Sequence, residues 1–276
     1  MRIRYSFSSR KTGIIVGTNK HKKAFPLILL EVVGMADIVL EILDARFIDQ
    51  TRNREIEKLV REEGKQLIYI LNKADLTDMK KAEEEAAALE LVPWVFFSCT
   101  KKIGRNELRK RIQIEAKRLK LKRKVLVGVI GYPNTGKSSL MNVLTRRASA
   151  PVSPISGHTK GIQKVRFGKD IAILDSPGVI PDHEGTRAGR DILAKHTAIG
   201  IRRFDSVKNP ELMVVQLMRQ YPGLIEKYYH LSLKADDDFL EVLGKQRNFL
   251  KKHGFVDTDR TARLVLKDWQ EGRIKA

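Results

Sequence analysis

Short apolar segments alternate with amphipathic segments over the first two thirds of the chain. The apolar segments are rich in branched side chains, which is typical of strands buried on both faces of a sheet. The amphipathic segments have helical periodicity near residues 53–63, 78–90, 104–120 and 137–146. The predicted strands are Asp37–Leu43, Gln66–Leu71, Val92–Phe97, Lys124–Ile130, Gln163–Phe167 and Asp170–Leu174. This alternation predicts an α/β fold, a mostly parallel sheet with helices on both faces.

The last two predicted strands depart from the alternation. Only Gly168-Lys169 separates them, which is too short for the crossover that a parallel pair needs. We therefore expect these two segments to form one antiparallel hairpin at the sheet.

The strand pattern stops near residue 205, and helical patterns follow to the end. Asn209-Pro210-Glu211 combines an N-cap residue, a first-turn proline and an acid that suits a helix N-terminus. Further helical patterns cover Asp236–Leu250 and Asp257–Glu271. We therefore predict a domain over residues 1–204, with a basic arm at 1–24, and a small all-α domain over 205–276.

Composition narrows the class of protein. An apolar content of 42% in 276 residues is too high for a disordered chain and can fill the predicted cores. A single cysteine, Cys99, excludes an internal disulfide and a multi-cysteine zinc site. The uncharged apolar runs, such as Phe25–Leu30, are far too short to span a membrane, and no secretory leader is recognisable. We expect a cytoplasmic protein without a membrane partner.

The charge is strongly basic and unevenly distributed. Lys and Arg number 53 against 33 acids, a net charge of +20. Residues 1–30 contain seven basic side chains and no acid, and residues 101–124 contain twelve against two. Such clusters favour binding to a phosphate backbone. For 101–124 an alternative stays open, a solvated helix face whose inward stripe includes Leu108 and Ile112.

A glycine-rich motif follows the predicted strand Lys124–Ile130 and precedes a helical pattern, which is the context of a phosphate-binding loop. Its backbone N–H groups and the helix N-terminus favour phosphate oxygens. Lys137 would neutralise the β- and γ-phosphates, and Ser138 would bind Mg²⁺. The nucleotide-binding residues predicted here are Tyr132, Pro133, Asn134, Thr135, Gly136, Lys137, Ser138 and Ser139.

A second phosphate-side motif, Asp175-Ser176-Pro177-Gly178, ends the strand Asp170–Leu174. A carboxylate at Asp175 can reach Mg²⁺, and the Gly178 N–H can contact the γ-phosphate. The D-x-x-G pattern is weak evidence by itself, but here it follows a predicted strand. We therefore expect Asp175 to bind Mg²⁺ and Gly178 to contact the nucleotide.

Two motifs predict which base the bound nucleotide carries. Asn72-Lys73-Ala74-Asp75 ends the strand Gln66–Leu71, and the Asp75 carboxylate can accept two N–H bonds from guanine, whereas adenine presents the wrong pattern. Lys73 can lie over the base, and Asn72 can tie loops together. Ser98-Cys99-Thr100 ends the next strand, where a backbone N–H can meet the base oxygen.

The order of these motifs predicts a rearranged fold. In ordinary guanine-nucleotide-binding domains the phosphate loop comes first, whereas here the base motifs at 72 and 98 precede the loop at 131. The sequence therefore predicts a circularly permuted P-loop GTPase domain. The chain resembles the circularly permuted ribosome-assembly GTPases of the YlqF/RbgA family. Further matching segments are Asp44-Ala45-Arg46, Arg52-Asn53, Ser156-Gly157-His158-Thr159, Gly244-Lys245-Gln246-Arg247 and Asp268–Ile274.

The resemblance implies hydrolysis of GTP to GDP and phosphate, coupled to binding of pre-ribosomal RNA during assembly of the large ribosomal subunit, by a monomer. Val179 stands where other GTPases place a water-orienting glutamine, so turnover should be slow until the ribosome stimulates it. The residues implied in catalysis are His21, Lys137, Thr159 and Gly178, with Thr159 also a Mg²⁺ ligand. Asn134 is implied in holding a K⁺ ion beside the phosphates.

Two other functions remain open from the sequence. One is a GTP-responsive RNA-binding module that acts on another RNA, with incidental hydrolysis. The other is a regulatory GTPase with a protein partner, in which the positive charge serves only solubility.

Overall fold

Six strands form one sheet in a computed structural model that describes residues 27, 29–145, 163–167, 169–175, 195–233 and 238–275. The strands are β1 (Ile38–Asp44), β2 (Gln66–Asn72), β3 (Trp94–Phe96), β4 (Val125–Gly131), β5 (Gln163–Arg166) and β6 (Ile171–Asp175). Their spatial order is β3-β2-β1-β4-β6-β5. All neighbours are parallel except β5 and β6, which form the predicted antiparallel hairpin. The predicted α/β sheet is confirmed.

Helices cover both faces of the sheet because side chains of a strand alternate between faces. On one face, Val39 and Leu43 of β1 pack in an apolar cluster with Val60. On the other face, Ile38, Leu40 and Ile42 pack in a second cluster with side chains of two further helices. The helices of this part are α1 (29–35), α2 (Arg54–Glu62), α3 (Met79–Ala88), α4 (Arg105–Arg118) and α5 (Lys137–Thr145).

Helices also fill the described part of the chain after residue 209, as predicted: α6 (Pro210–Gln220), α7 (Leu224–Tyr228), α8 (Phe239–Gln246) and α9 (Thr258–Gln270). Asp238 and Asp257 cap α8 and α9 by accepting backbone N–H bonds. Asn209 holds the N-cap position of α6 with Pro210 after it, but the side chain of Asn209 makes no capping hydrogen bond there. The predicted N-cap residue and first-turn proline are therefore confirmed.

The C-terminal helices pack against the sheet domain. Their apolar core contains Leu217, Val265 and Trp269, and it includes Phe47 and Tyr132 from the loops after β1 and β4. Ala198, Ile199 and Ile201 belong to the same core, and the domain boundary at 204/205 stays a prediction. No described helix combines the length and the apolar character that a bilayer crossing requires.

A carboxyl pair is buried beneath α2. Glu41, in the middle of β1, is fully buried and accepts the Asn53 N–H at 2.8 Å. Glu57 of α2 is also buried, and the guanidinium of Arg52 binds both of its oxygens at 2.7 and 2.6 Å. Burial, and then the charge of Glu57, raise the pKa of Glu41 well above its usual range. The folded protein therefore keeps the Glu41 carboxyl protonated to a higher pH than the unfolded chain does.

We predict that Glu41→Gln stabilises the protein in a pH-dependent way. Because the folded pKa of Glu41 is raised, its ionisation lowers the free energy of unfolding as pH rises above the ordinary glutamate range. Glutamine imitates the protonated acid and removes that loss. Urea denaturation should give a higher midpoint for Glu41→Gln at pH 8 and converging midpoints near pH 4.5. Glu62→Gln, at an exposed glutamate on α2, is the control; a gap independent of pH would contradict the prediction.

Candidate nucleotide-binding site

The predicted motifs meet at one edge of the sheet. In the parallel registers Asp44 lies beside Asn72, and Ile42 of the same strand lies beside Gly131. Asp175 ends β6 next to Val129 of β4. The carboxyl ends of β2, β1, β4 and β6 therefore lie side by side, which is where ligands bind in parallel α/β sheets.

The loop between β4 and α5 has the backbone of a phosphate cradle. Gly131 and Gly136 have φ values of +145° and +104°, which side chains rarely adopt. A Cβ at Gly136 would also overlap the amide nitrogen of Asn72. The Lys137 Nζ points back into the loop and donates to the carbonyl oxygens of Gly131, at 2.8 Å, and Tyr132. The loop thus surrounds one buried cation at the N-terminus of α5, and this favours a bound anion.

The remaining loop residues lie around the same cradle. Tyr132, Pro133 and Thr135 are buried, and Ser138 and Ser139 are half-buried in the first turn of α5. The Thr135 hydroxyl donates to the Tyr132 carbonyl at 2.9 Å and closes the loop. All the predicted loop residues are therefore at the site, and their contacts with a nucleotide stay predictions.

Asn72 joins the base side of the site to the phosphate side. Its Nδ2 donates to the Thr135 carbonyl at 2.6 Å in a buried position. The tie between loops that the sequence suggested is thus present. The Cys99 thiol contacts Asn72 Oδ1 at 3.7 Å, and burial raises the pKa of that thiol to about 11. Cys99 is therefore a packed neutral thiol, without the thiolate that its own chemistry would need.

The Ser98-Cys99-Thr100 segment supports the carboxylate of Asp75, which is predicted to recognise the base. The Thr100 hydroxyl donates to Asp75 Oδ2 at 3.0 Å and lies 3.1 Å from the Ser98 hydroxyl. The Lys101 N–H donates to Ser98 Oγ at 3.0 Å, which holds that hydroxyl in place. The two base motifs therefore form one hydrogen-bonded unit around Asp75.

Sequence reasoning from the nucleotide motifs missed the buried Asp44. Its carboxylate accepts the Lys73 ammonium at 2.7 Å and a bidentate pair from the Arg46 guanidinium at 3.0 and 2.8 Å. Burial alone would raise its pKa, but the charges of Lys73 and then Arg46 hold the pKa of Asp44 well below its usual range. The signal available in the sequence was a polar residue that ends a fully apolar strand, at the Asp44-Ala45-Arg46 match.

Several predicted residues lie outside the described part of the chain: His21, Thr159, Gly178 and the side chain of Asp175. Of the predicted Mg²⁺ ligands, only the side chain of Ser138 is described, and the described residues contain no cluster of three or more metal-ligating His, Cys, Asp or Glu side chains. The Asn134 Nδ2 donates to the Gly200 carbonyl at 2.6 Å. The K⁺ role of Asn134 and the Mg²⁺ site stay predictions.

Comparisons agree with this geometry. YlqF from T. maritima in a GNP-bound crystal structure is 22% identical, with a TM-score of 0.63 over 92% of this chain and 95% of that chain. A family model described as 50S ribosome-binding GTPase matches residues 126–237. The likeness to YlqF shows that this chain shares its fold.

Curated relatives match most of the chain. An uncharacterized GTP-binding protein of Methanocaldococcus jannaschii is 34% identical over 249 residues, 90% of this chain and 65% of the relative. Nucleolar GTP-binding protein 2 of Saccharomyces cerevisiae is 31% identical over 253 residues, 89% of this chain and 51% of the relative. The chain therefore spans about half to two thirds of the length of these relatives.

This chain has a circularly permuted P-loop GTPase fold, and its curated relatives carry the names of GTP-binding proteins. The permuted fold keeps a contiguous site although its motifs are reordered along the chain, because the sheet order places β2 and β3 on one side of β1 and β4 and β6 on the other. Asp44, at the end of β1, thus lies between the base motifs and the phosphate loop.

We predict that Gly136→Ala lowers GDP affinity by about 100-fold. A Cβ at Gly136 displaces Asn72 and the loop, and loss of two charge-assisted hydrogen bonds at about 1.5 kcal/mol each gives that factor. Gly64→Ala is the control, because Gly64 also has a positive φ, of +62°, yet a Cβ there meets nothing within 4 Å. Fluorescent-GDP titration measures both; equal losses in the two variants would refute a local effect.

Proposed function

We propose that this protein binds GTP and hydrolyses it to GDP and phosphate, and that its nucleotide state controls binding to pre-ribosomal RNA during assembly of the large ribosomal subunit. The observation that carries the proposal is the meeting of a guanine-type carboxylate unit and a phosphate cradle, joined by the 2.6 Å bond from Asn72 to Thr135. The relatives named above as GTP-binding proteins support the nucleotide.

The residues present fit a guanine nucleotide. Gly131 and Gly136 leave room that a Cβ would fill, and Lys137 supplies the cation for the phosphates. Asp75, held by Thr100, offers two carboxylate oxygens to the guanine edge.

Metal ions and a catalytic histidine form a further part of the proposal. Ser138 at the start of α5 would hold Mg²⁺ together with Thr159 and Asp175, and the ion would offset charge that develops on the phosphates. The proposal places the K⁺ ion beside Asn134. His21 is proposed to act on the attacking water, because Val179 has no polar group for that task.

The basic helix α4 supports a polyanionic partner. Leu108 and Ile112 are buried in the sheet domain, so the inward stripe and the charged outer face coexist on one helix. Arg111 and Arg118 pair with Glu115 at 3.5 and 3.1 Å. Seven exposed lysines form no ion pair with described acids and remain available for phosphates: Lys101, Lys102, Lys110, Lys117, Lys120, Lys122 and Lys124.

A second proposed RNA surface is the tip formed by residues 247–255, between α8 and α9. Phe255 is 72% exposed and Leu250 is 47% exposed, beside the exposed Lys252. An exposed aromatic ring among cations suits an unpaired RNA base, which stacks on the ring while the lysine meets phosphate.

Two arginines of the C-terminal helices make contacts within the chain. Arg263 pairs with Asp259 and donates to the carbonyls of Phe204, Asp205 and Val207. Arg273 pairs with Asp268 at 2.8 Å. The proposed RNA contacts of the C-terminal helices therefore concentrate at the tip.

Ribosomal RNA is the proposed polyanion because the matching family model is described as 50S ribosome-binding, and nucleolar GTP-binding protein 2 is among the relatives. We place the protein in the cytoplasm and propose that it acts as a monomer. Another RNA or a protein partner remains an outcome of the test below.

We predict that the protein co-sediments with large ribosomal subunits in the presence of a non-hydrolysable GTP analogue and is released with GDP. The binding should weaken as salt rises, because counterion release drives phosphate contacts. Sedimentation with purified large and small subunits, together with phosphate release from GTP, measures both parts. Equal binding to unrelated RNA would favour the general RNA-binding module, and no RNA binding at all would favour a regulatory GTPase.

We predict distinct effects for two substitutions in the tip. Phe255→Ala should weaken binding to a short oligouridylate by about 10-fold with an unchanged salt dependence, since base stacking is worth about 1–3 kcal/mol. Phe255→Tyr should retain affinity. Lys252→Ala should weaken binding and lower the slope of log affinity against log salt by about 1. Fluorescence anisotropy measures these; a Phe255→Ala protein with wild-type affinity would exclude the tip.

A further inference from the structure

The base-recognition turn is in contact with the end of α9 at two places. At the first, Lys73 and Arg46 share the Asp44 carboxylate, and Arg46 Nη1 donates to the Trp269 carbonyl at 3.3 Å. At the second, Gly272, just after α9, approaches the turn Ala74–Leu76 so closely that a Cβ there would lie 2.5 Å from Leu76 Cδ1. The two contacts flank Asp75.

The first contact is a chain of buried charges. The side chain of Asp44 is 0% exposed and that of Arg46 is 4% exposed, whereas Lys73 at the mouth is 24% exposed. A buried ion pair resists separation, because moving one partner leaves an uncompensated charge in an apolar place. Any displacement of Lys73 by a bound base is therefore transmitted to Asp44 and Arg46.

At its far end, this chain of charges contacts Trp269, a buried aromatic residue in the core of the C-terminal helices. Trp269 is 1% exposed and stacks on Phe47, the neighbour of Arg46, with ring centroids 6.0 Å apart. Its Nε1 donates to the Ala198 carbonyl at 2.9 Å. A shift of Arg46 thus changes the packing of α9 and of the segment that enters the C-terminal helices.

We propose that Asp44 and Arg46 are positioning residues that couple occupancy of the guanine-base site to the packing of the C-terminal helices at Trp269. The inference rests on the proposed function, since it requires guanine at Asp75. In this coupling the conformational change begins at the bound base and not at the γ-phosphate.

This route has a distinctive consequence. GTP and GDP carry the same base, so loss of the coupling weakens both nucleotides alike, whereas a route through the γ-phosphate affects GTP alone. Coupling between two sites is reciprocal. A contact of the C-terminal helices that responds to the nucleotide must therefore also contribute to nucleotide affinity. The ratio of the two affinities therefore separates the routes.

The test uses Arg46→Lys in the full chain. Lysine keeps one charge at Asp44 but loses the bidentate pair and the bond to the Trp269 carbonyl. We expect the dissociation constants of fluorescent GDP and of a fluorescent non-hydrolysable GTP analogue to rise together by about 5-fold or more. Arg54→Lys, which alters the exposed pair with Asp49, is the matched control and should leave both constants unchanged.

A second readout follows Trp269 directly. The chain has two tryptophans, so Trp94→Phe leaves Trp269 as the sole tryptophan reporter. GDP should change its emission in the Trp94→Phe protein, and saturating GDP should leave it unchanged when Arg46→Lys is added. Asp44→Asn should weaken both nucleotides further, with circular dichroism to establish folding; Arg46→Lys suffices if Asp44→Asn does not fold.

The outcomes separate the two proposals. A Trp94→Phe protein that binds neither labelled nucleotide overturns the proposed function, and the coupling with it. If that protein binds nucleotide while Trp269 emission stays constant, the coupling alone is wrong. A rise in the dissociation constant of the GTP analogue without one for GDP also overturns the base-side route.

Discussion

The parallel alignment of β2, β1, β4 and β6 is the constraint on which the rest of the structure depends, because it places four strand ends at one edge. Glycines in the loop after β4 leave room at that edge for an anion, and Asn72 connects this loop to the turn that carries Asp75. A permuted chain can keep this arrangement, since each motif needs only its own strand end and its neighbours in the sheet, whatever the order of connection.

The C-terminal helices complete the same edge. Phe47 and Tyr132, in loops of the sheet domain, pack in the apolar core of the C-terminal helices. Arg46 donates to the Trp269 carbonyl near the end of α9. The basic side chains consequently fall into two groups, those paired within the protein and those exposed to solvent. Lys73, Arg46 and Arg263 are occupied by internal carboxylates and carbonyls, while the outer face of α4 and the tip at 247–255 stay exposed.

Much of the fold was predictable because most strands are buried on both faces and read as continuous apolar runs. The predicted bounds of β1, Asp37–Leu43, differ from the observed Ile38–Asp44 by one residue at each end. The missed features depend on partners far along the chain or on side-chain orientation. Asn209 is the N-cap residue of α6 yet its side chain makes no cap bond, and Glu41 in the apolar strand β1 accepts the Asn53 N–H close to the like charge of Glu57.

The sequence by itself determined the chemistry of the nucleotide motifs, because a phosphate loop and a carboxylate at a strand end act through backbone and side chains within a few residues of one another. It also determined the permuted order. Only the tertiary structure decided that Asp44 serves both Lys73 and Arg46, and that Arg46 meets Trp269 at a separation of 223 residues. Such pairings depend on which strands are neighbours and which helix end covers them, and no local pattern encodes that.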